Sequence, residues 1–209
     1  MPSIASKEKQ RLKVLWQYDV LDSVPEEVFD DLTELAARIC EAPIALISLV
    51  DEKRQWFKAK VGVSLHETSR DISFCSHAIE QPDLFIIPDA TKDERFADNP
   101  LVTSDPQVRF YAGAPLVGPD GHALGTLCVI DKVPRELRPE QKQALRILAR
   151  HVMTQLEVRR HSRALARAHK QRERMQEDLE KARAEIEALR SQLKQRKAKT
   201  TSARRRKAK

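Results

Sequence analysis

The sequence predicts an α+β domain whose central sheet is covered on both faces and which leads into a long C-terminal helix. Three observations carry this reading. Residues 109–131, RFYAGAPLVGPDGHALGTLCVID, form two short apolar arms around Gly118-Pro119-Asp120-Gly121; proline presets one turn torsion there and glycine permits positive φ, so the segment is a hairpin. On each arm both alternating sets are largely apolar: Phe110, Ala112, Ala114 and Leu116 against Tyr111, Gly113 and Val117, then Leu124, Cys128 and Ile130 against Ala123, Leu127 and Val129. A hairpin with one wet face would place polar residues on one side, so this one belongs at the centre of a sheet. Finally, neither glycine nor proline occurs between Glu140 and Lys209, as an uninterrupted helix requires.

The remaining elements follow in order. Residues 1–11 are expected to be a flexible N-terminus, and Leu12, Leu15, Trp16 and Val20-Leu21 give a short amphipathic pattern at the domain edge. Ser23-Val24-Pro25-Glu26 has capping-box spacing with proline in the first turn, and Val28, Leu32, Leu35, Ala36 and Ile39 share one helical face, which predicts a helix near 25–40. Ile44 to Val50 is apolar at nearly every position and reads as a buried strand. Gln55 to Val61 alternates Trp56, Lys58 and Lys60 with Phe57, Ala59 and Val61, a strand nearer the sheet edge with one partly wet face. An irregular stretch over 62–71, a short helix at 74–80 and a four-residue strand at 84–87 come next. Residues 90–106 are polar and punctuated by proline; so long a connection in a small domain is commonly a lid or binding loop.

Charge divides the chain. Residues 1–158 hold 19 Lys/Arg and 25 Asp/Glu, a net −6, whereas residues 159–209 hold 19 and 6, a net +13. The basic character therefore belongs to the C-terminal part. No apolar run reaches the roughly 20 residues needed to span a bilayer, and Met1-Pro2-Ser3 does not open a signal peptide, so a cytoplasmic protein is expected. Cys40, Cys75 and Cys128 are odd in number and widely spaced, which argues against a disulfide framework or a structural zinc site.

In the exit helix, Leu145, Leu148, Val152 and Leu156 can lie on the sheet, and beyond them Met175, Leu179, Ala182, Ile186, Leu189 and Leu193 step by 4, 3, 4, 3, 4. That is a heptad seam; beside the reading as a single solvated helix, the preferred one is self-association as a parallel coiled coil over 161–193, making the chain a homodimer, because a lone apolar stripe in water would remain unpaired. Residues 194–209, KQRKAKTTSARRRKAK, carry nine basic side chains, no acid and no large apolar residue; the segment is expected to be disordered in isolation. It could bind nucleic acid or an acidic partner non-specifically.

Several separated segments, DISFCSHAI at 71–79, FIIPDATKDERFADNPLV at 85–102, RFYAGAPL at 109–116 and GHALGTLCVIDKVPREL at 121–137, resemble the GAF modules of bacterial sensory proteins. The resemblance covers roughly 12–160. It implies a central antiparallel sheet of about six strands, helices from both ends of the domain on one face and a small-molecule pocket on the other. It also implies end helices that pass a signal to an effector such as a histidine kinase or diguanylate cyclase. Nothing after 160 resembles such an effector, so it would be a separate protein.

For a pocket of that kind the expected lining is Phe74, Cys75, His77, Asp89, Arg95, Phe96, Arg109 and Tyr111, with Arg95 or Arg109 able to hold an anionic ligand. The same arginines can equally pair with Asp89, Asp93 or Glu94. Direct Cys75–His77 chemistry is disfavoured, because residues i and i+2 of a helix do not face each other. Cys75 alone could serve as a redox-sensitive or ligand-contacting thiol, or be simply a small buried residue, and Cys128 should be buried and inert. Some GAF proteins reduce free methionine sulfoxide with a cysteine near the approach to the hairpin; here that approach reads Asp105-Pro106-Gln107-Val108-Arg109, without cysteine. Neither a tetrapyrrole nor a cyclic-nucleotide signature is clear, so ligand and cofactor are unknown. Phosphate-loop, HExxH and GxSxG motifs are absent. The reading is a non-catalytic sensory module, with the sulfoxide reductase and the nucleic-acid-binding coiled coil as alternatives.

Overall fold

In the computed structural model, which describes the backbone of residues 4–207 and the side chains of residues 6–191 and 194, the chain divides into two units, 1–160 and 161–209. The first opens with α1 (Ile4–Gln17) and α2 (Glu27–Cys40), then β1 (Ile44–Val50), β2 (Arg54–Val61) and the three-residue β3 (Glu67–Ser69). The short α3 (Phe74–Ala78), β4 (Phe85–Ile87), the one-turn α4 (Pro100–Thr103) and the hairpin β5 (Phe110–Val117) and β6 (Ala123–Asp131) follow, and α5 (Pro139–Lys207) begins at Pro139. The six strands make one sheet in the order β3-β2-β1-β6-β5-β4, antiparallel throughout. Its fold is the α+β architecture the sequence indicates, with β3 and β4 at the edges and the β5–β6 hairpin in the interior.

The alternation along the hairpin sorts its side chains to two cores. Phe110, Ala112, Ala114 and Leu116 join α1, α2 and the start of α5 on one face, while Tyr111 and Cys128 join α3 and the 90–108 segment on the other. One residue departs from strict alternation. Leu124 packs on the helix face with Leu127, because the β5–β6 register shifts between Pro115 and Val117 and such an irregularity rotates the strand. Nearby, Gly125 lets β1 approach closely: a Cβ there would lie 1.9 Å from the Ser48 carbonyl oxygen.

Several expectations are corrected by tertiary contacts. Residues 4–11 belong to α1 rather than to a flexible terminus, and Arg11 is buried, donating to Glu8 and to the Val50 carbonyl at 2.7 Å. The capping box does not form: α2 has Glu26 at its N-cap without a side-chain cap bond. Instead Ser23 Oγ, the Val24 carbonyl and Glu26 all accept from Lys58 Nζ, at 3.0, 2.8 and 2.7 Å. Lys58 is thereby buried, not on a wet face, and burial lowers its pKa although Glu26 pulls it back up. Glu26 also accepts from Arg159 Nε at 2.7 Å, and Arg159 Nη1 donates to the Tyr18 and Asp19 carbonyls at 3.1 and 2.8 Å. The buried face of α2 is Phe29, Thr33, Ala36, Ala37 and Cys40, one step round from the predicted stripe, which leaves Val28 and Leu35 exposed.

In the second unit Met175, Leu179, Ala182, Ile186 and Leu189 are exposed; the Leu193 side chain lies outside the described residues. The backbone is helical through most of 194–209, where disorder was expected. That segment lacks glycine and proline and is rich in Lys, Arg and Ala, which favour helix; its side chains from 195 onward lie outside the described residues. No helix among the described residues is long and apolar enough to cross a membrane.

Candidate functional site

The site lies on the sheet face opposite the long helices, where α3 covers β1, β6 and β5. Ser73 fixes the start of α3 twice: its Oγ accepts from the Ser76 amide at 3.1 Å and donates to Gln55 on β2. A serine cap of this kind sets where a helix begins and therefore which residues face inward. Phe74, Cys75 and Ala78 are buried against the sheet, while His77 is on the outer side.

Each of β1, β6 and β5 presents one or two groups beneath Cys75. Thr126 on β6 donates its hydroxyl to Cys75 Sγ at 3.0 Å, and Tyr111 on β5 donates its phenol at 3.2 Å. Cys128 Sγ lies 3.9 Å from Cys75 Sγ. On β1, Ser48 is paired in register with Thr126; its hydroxyl is buried without a hydrogen bond of ordinary geometry. All five groups are buried. Tyr111 reaches the sulfur because residue 113 is glycine: a Cβ there would meet its hydroxyl at 2.3 Å.

The electrostatics of the cluster are asymmetric. Burial pushes the Cys75 thiol up, but the donors Cys128, Thr126 and Tyr111 outweigh it, so its pKa is lowered. The hydrogen bond to Cys75, together with burial, pushes the Cys128 thiol up, and burial beside both sulfurs raises Tyr111. Physically, three donors converge on one acceptor sulfur, and a thiolate accepts more strongly than a thiol. The arrangement can hold one proton between two sulfurs.

The expected lining divides into two groups. Phe74, Cys75, Phe96 and Tyr111 are packed together: Phe96 stacks on Phe74 at 4.2 Å between centroids and Phe74 on Tyr111 at 5.3 Å. The other four lie at the rim. His77 meets the edge of Phe96 at 4.9 Å, and Arg95 lies over Phe85 at 4.9 Å while making two bonds to Asp93, at 2.9 and 2.6 Å. Asp89 caps a turn at Thr91 and pairs with Lys92 at 3.2 Å, and Arg109 donates to the Val102 and Val108 carbonyls at 2.9 and 3.1 Å. Protein rings thus occupy the space beside α3. A groove of about 440 Å³ lies on the other face, with Pro82, Met153 and Arg146 among its lining; Arg146 is engaged there by Asp83 at 2.8 and 2.7 Å.

Sequence reasoning missed Ser48, Thr126 and the placement of Cys128 beside Cys75. A signal for the first two was present: Ser48 is the one polar residue in the β1 run, and Thr126 stands two positions from Cys128 on the same strand. What no spacing conveys is that α3 returns over them.

The fold is that of an α+β module with a six-stranded antiparallel sheet, and comparison with known proteins identifies its family. The GAF domain family model matches residues 24–156, so the chain belongs to the GAF domain family. It is 42% identical over 160 residues to a protein of Pseudomonas aeruginosa named cyclic di-GMP phosphodiesterase, covering 76% of this chain but only 27% of that relative. The GAF domain of an Acinetobacter phosphoenolpyruvate-protein phosphotransferase superposes with a TM-score of 0.53 at 18% identity, over 80% of this chain and 99% of that one. Free methionine-R-sulfoxide reductase from Neisseria meningitidis superposes with a TM-score of 0.54 at 14% identity, over 78% and 97%. At these identities the two structures attest the fold alone.

Proposed function

We propose that the chain is a non-catalytic sensory GAF module in which a small molecule or a redox change at the α3-covered face alters the geometry of a dimeric C-terminal helix. The observation that carries the output step is the apolar stripe of Met175, Leu179, Ile186 and Leu189, each at least half exposed. Exposed apolar side chains at heptad spacing are stabilised by pairing with a second copy. The relative of which this chain spans 27% carries the name of a cyclic di-GMP phosphodiesterase, which favours an effector of cyclic dinucleotide turnover, alongside a kinase or cyclase, as the receiving protein. The direct test is native mass at micromolar concentration for the full chain and for a chain ending at 160. A dimer that becomes a monomer on truncation is expected; a monomeric full chain would remove the output step.

The sulfoxide-reductase alternative has one observation in its favour, the two-thiol cluster itself. Against it, both sulfurs are buried under stacked rings, and a substrate must come within bonding distance of its nucleophile. Turnover of free methionine sulfoxide with a thiol reductant, lost in Cys75→Ser, would overturn the non-catalytic reading.

A further inference from the structure

We infer that Cys75 and Cys128 are a redox-active dithiol that a hydroperoxide closes to an intramolecular disulfide, pinning α3 to the central strand β6. This deepens the sensory reading above, on which its biological meaning rests, while its chemistry is tested separately.

The sulfurs lie 3.9 Å apart, within reach of the roughly 2.05 Å of a disulfide by a small inward movement of α3. Their surroundings distinguish their roles. Cys75 Sγ receives hydroxyl donors from Thr126 at 3.0 Å and Tyr111 at 3.2 Å, which stabilise it as the attacking thiolate. Both hydroxyls donate to Cys75 rather than to Cys128, and among the described residues Cys128 is the only other sulfur in that core. Cys40 lies in the helix-face core instead, where burial pushes its thiol up to about 11, so it is a bystander.

The chemistry closes without any further cofactor. The Cys75 thiolate attacks one peroxide oxygen; the O–O bond breaks, giving a sulfenic acid and hydroxide, which takes up a proton. Cys128 sulfur then displaces the sulfenic oxygen, forming the S–S bond, and its proton leaves with that oxygen as water. Two thiols lose two electrons and two protons, and one peroxide becomes two waters. Hydrogen peroxide is little larger than water, and α3 is only five residues long. Such a short cover opens locally at lower cost than the sheet unfolds.

Reduced full-length protein is treated with a small excess of hydrogen peroxide, quenched and alkylated under denaturing conditions. The expected product has one free thiol of the original three, a mass lower by two hydrogens and a linked peptide pair containing Cys75 and Cys128; dithiothreitol restores all three thiols. In Cys128→Ser, shown to be folded by circular dichroism, a dione reagent captures sulfenic acid on Cys75, whereas in Cys75→Ser Cys128 stays reduced. Survival of all three thiols, a link to Cys40, a link between chains or over-oxidation of Cys75 with Cys128 free would each overturn the proposal. If the disulfide forms and the full chain proves monomeric, the dithiol stands and the sensory output reading fails.

Discussion

The two faces of the sheet are built from different chemistry. The helix-covered face is closed by α1, α2 and the start of α5 over large aliphatic and aromatic side chains, and its charged groups sit at the margin, where Lys58 and Arg159 share the Glu26 carboxylate. The face beneath α3 carries its polar groups at the centre, as two thiols and three hydroxyls under a five-residue helix and a stacked aromatic lid. Buried apolar contacts supply stability without preferring one chemical state. A buried cluster of thiols and hydroxyls is sensitive to protons and oxidation because its alternatives differ in hydrogen bonding. The helix-covered face therefore supplies stability, and the thiols under α3 are the groups that the proposed redox response would use.

That contrast is most strongly tested on the helix side. Phe29→Ala removes a fully buried ring from the helix-face core and is expected to cost about 3–5 kcal/mol in urea unfolding, with peroxide reactivity of the folded fraction unchanged. Glu26→Ala leaves Lys58 and Arg159 without their shared carboxylate. Removing one partner of a buried pair costs about 3–5 kcal/mol; Glu26 is 33% exposed, so about 2–3 kcal/mol is expected by the same measurement. The network also makes the margin acid-sensitive. Burial raises the Glu26 pKa, but its bonds to Lys58 and Arg159 outweigh this and hold it below 4.5. Its contribution is present above pH 4.5 and is lost as pH falls through the folded-state value. A urea series from pH 6 to 3 should show that decline, flattened in Glu26→Gln.

Much of the helix-side architecture was legible in the sequence. The β5–β6 hairpin announces itself because burial on both faces removes the polar alternation, and α5 because 70 residues pass without glycine or proline. The cooperating side chains were less so. Ser23 and Glu26 have the spacing of a local cap, yet a lysine 35 residues from Ser23 claims both, since a buried ammonium needs acceptors more than a solvated helix end does. Likewise Phe74, Cys75, Phe96 and Tyr111 pack against one another on one face, a contact that the sequence suggests only as a shared lining. Ring stacking between segments 22 residues apart has no one-dimensional signature.

On the α3 side the expected effects are smaller in stability and larger in chemistry. Gly113→Ala forces the Tyr111 phenol away from Cys75 by steric conflict and should destabilise by about 1–3 kcal/mol, with slower alkylation of Cys75 at a given pH in the opened state. Tyr111→Phe removes one donor from the sulfur and should cost about 1 kcal/mol; its diagnostic reading is a Cys75 thiol pKa higher than in the wild type, while Cys40 is unaffected.

On the proposed sensory reading the α3-covered face responds and α5 reports the response. Amide hydrogen exchange on the full chain, before and after peroxide treatment, tests it most directly. Altered protection is expected at residues 73–79 and 90–108 together with residues 139–160 of α5, with α2 unchanged. Oxidation at Cys75 and Cys128 that left 139–160 unaltered would contradict it.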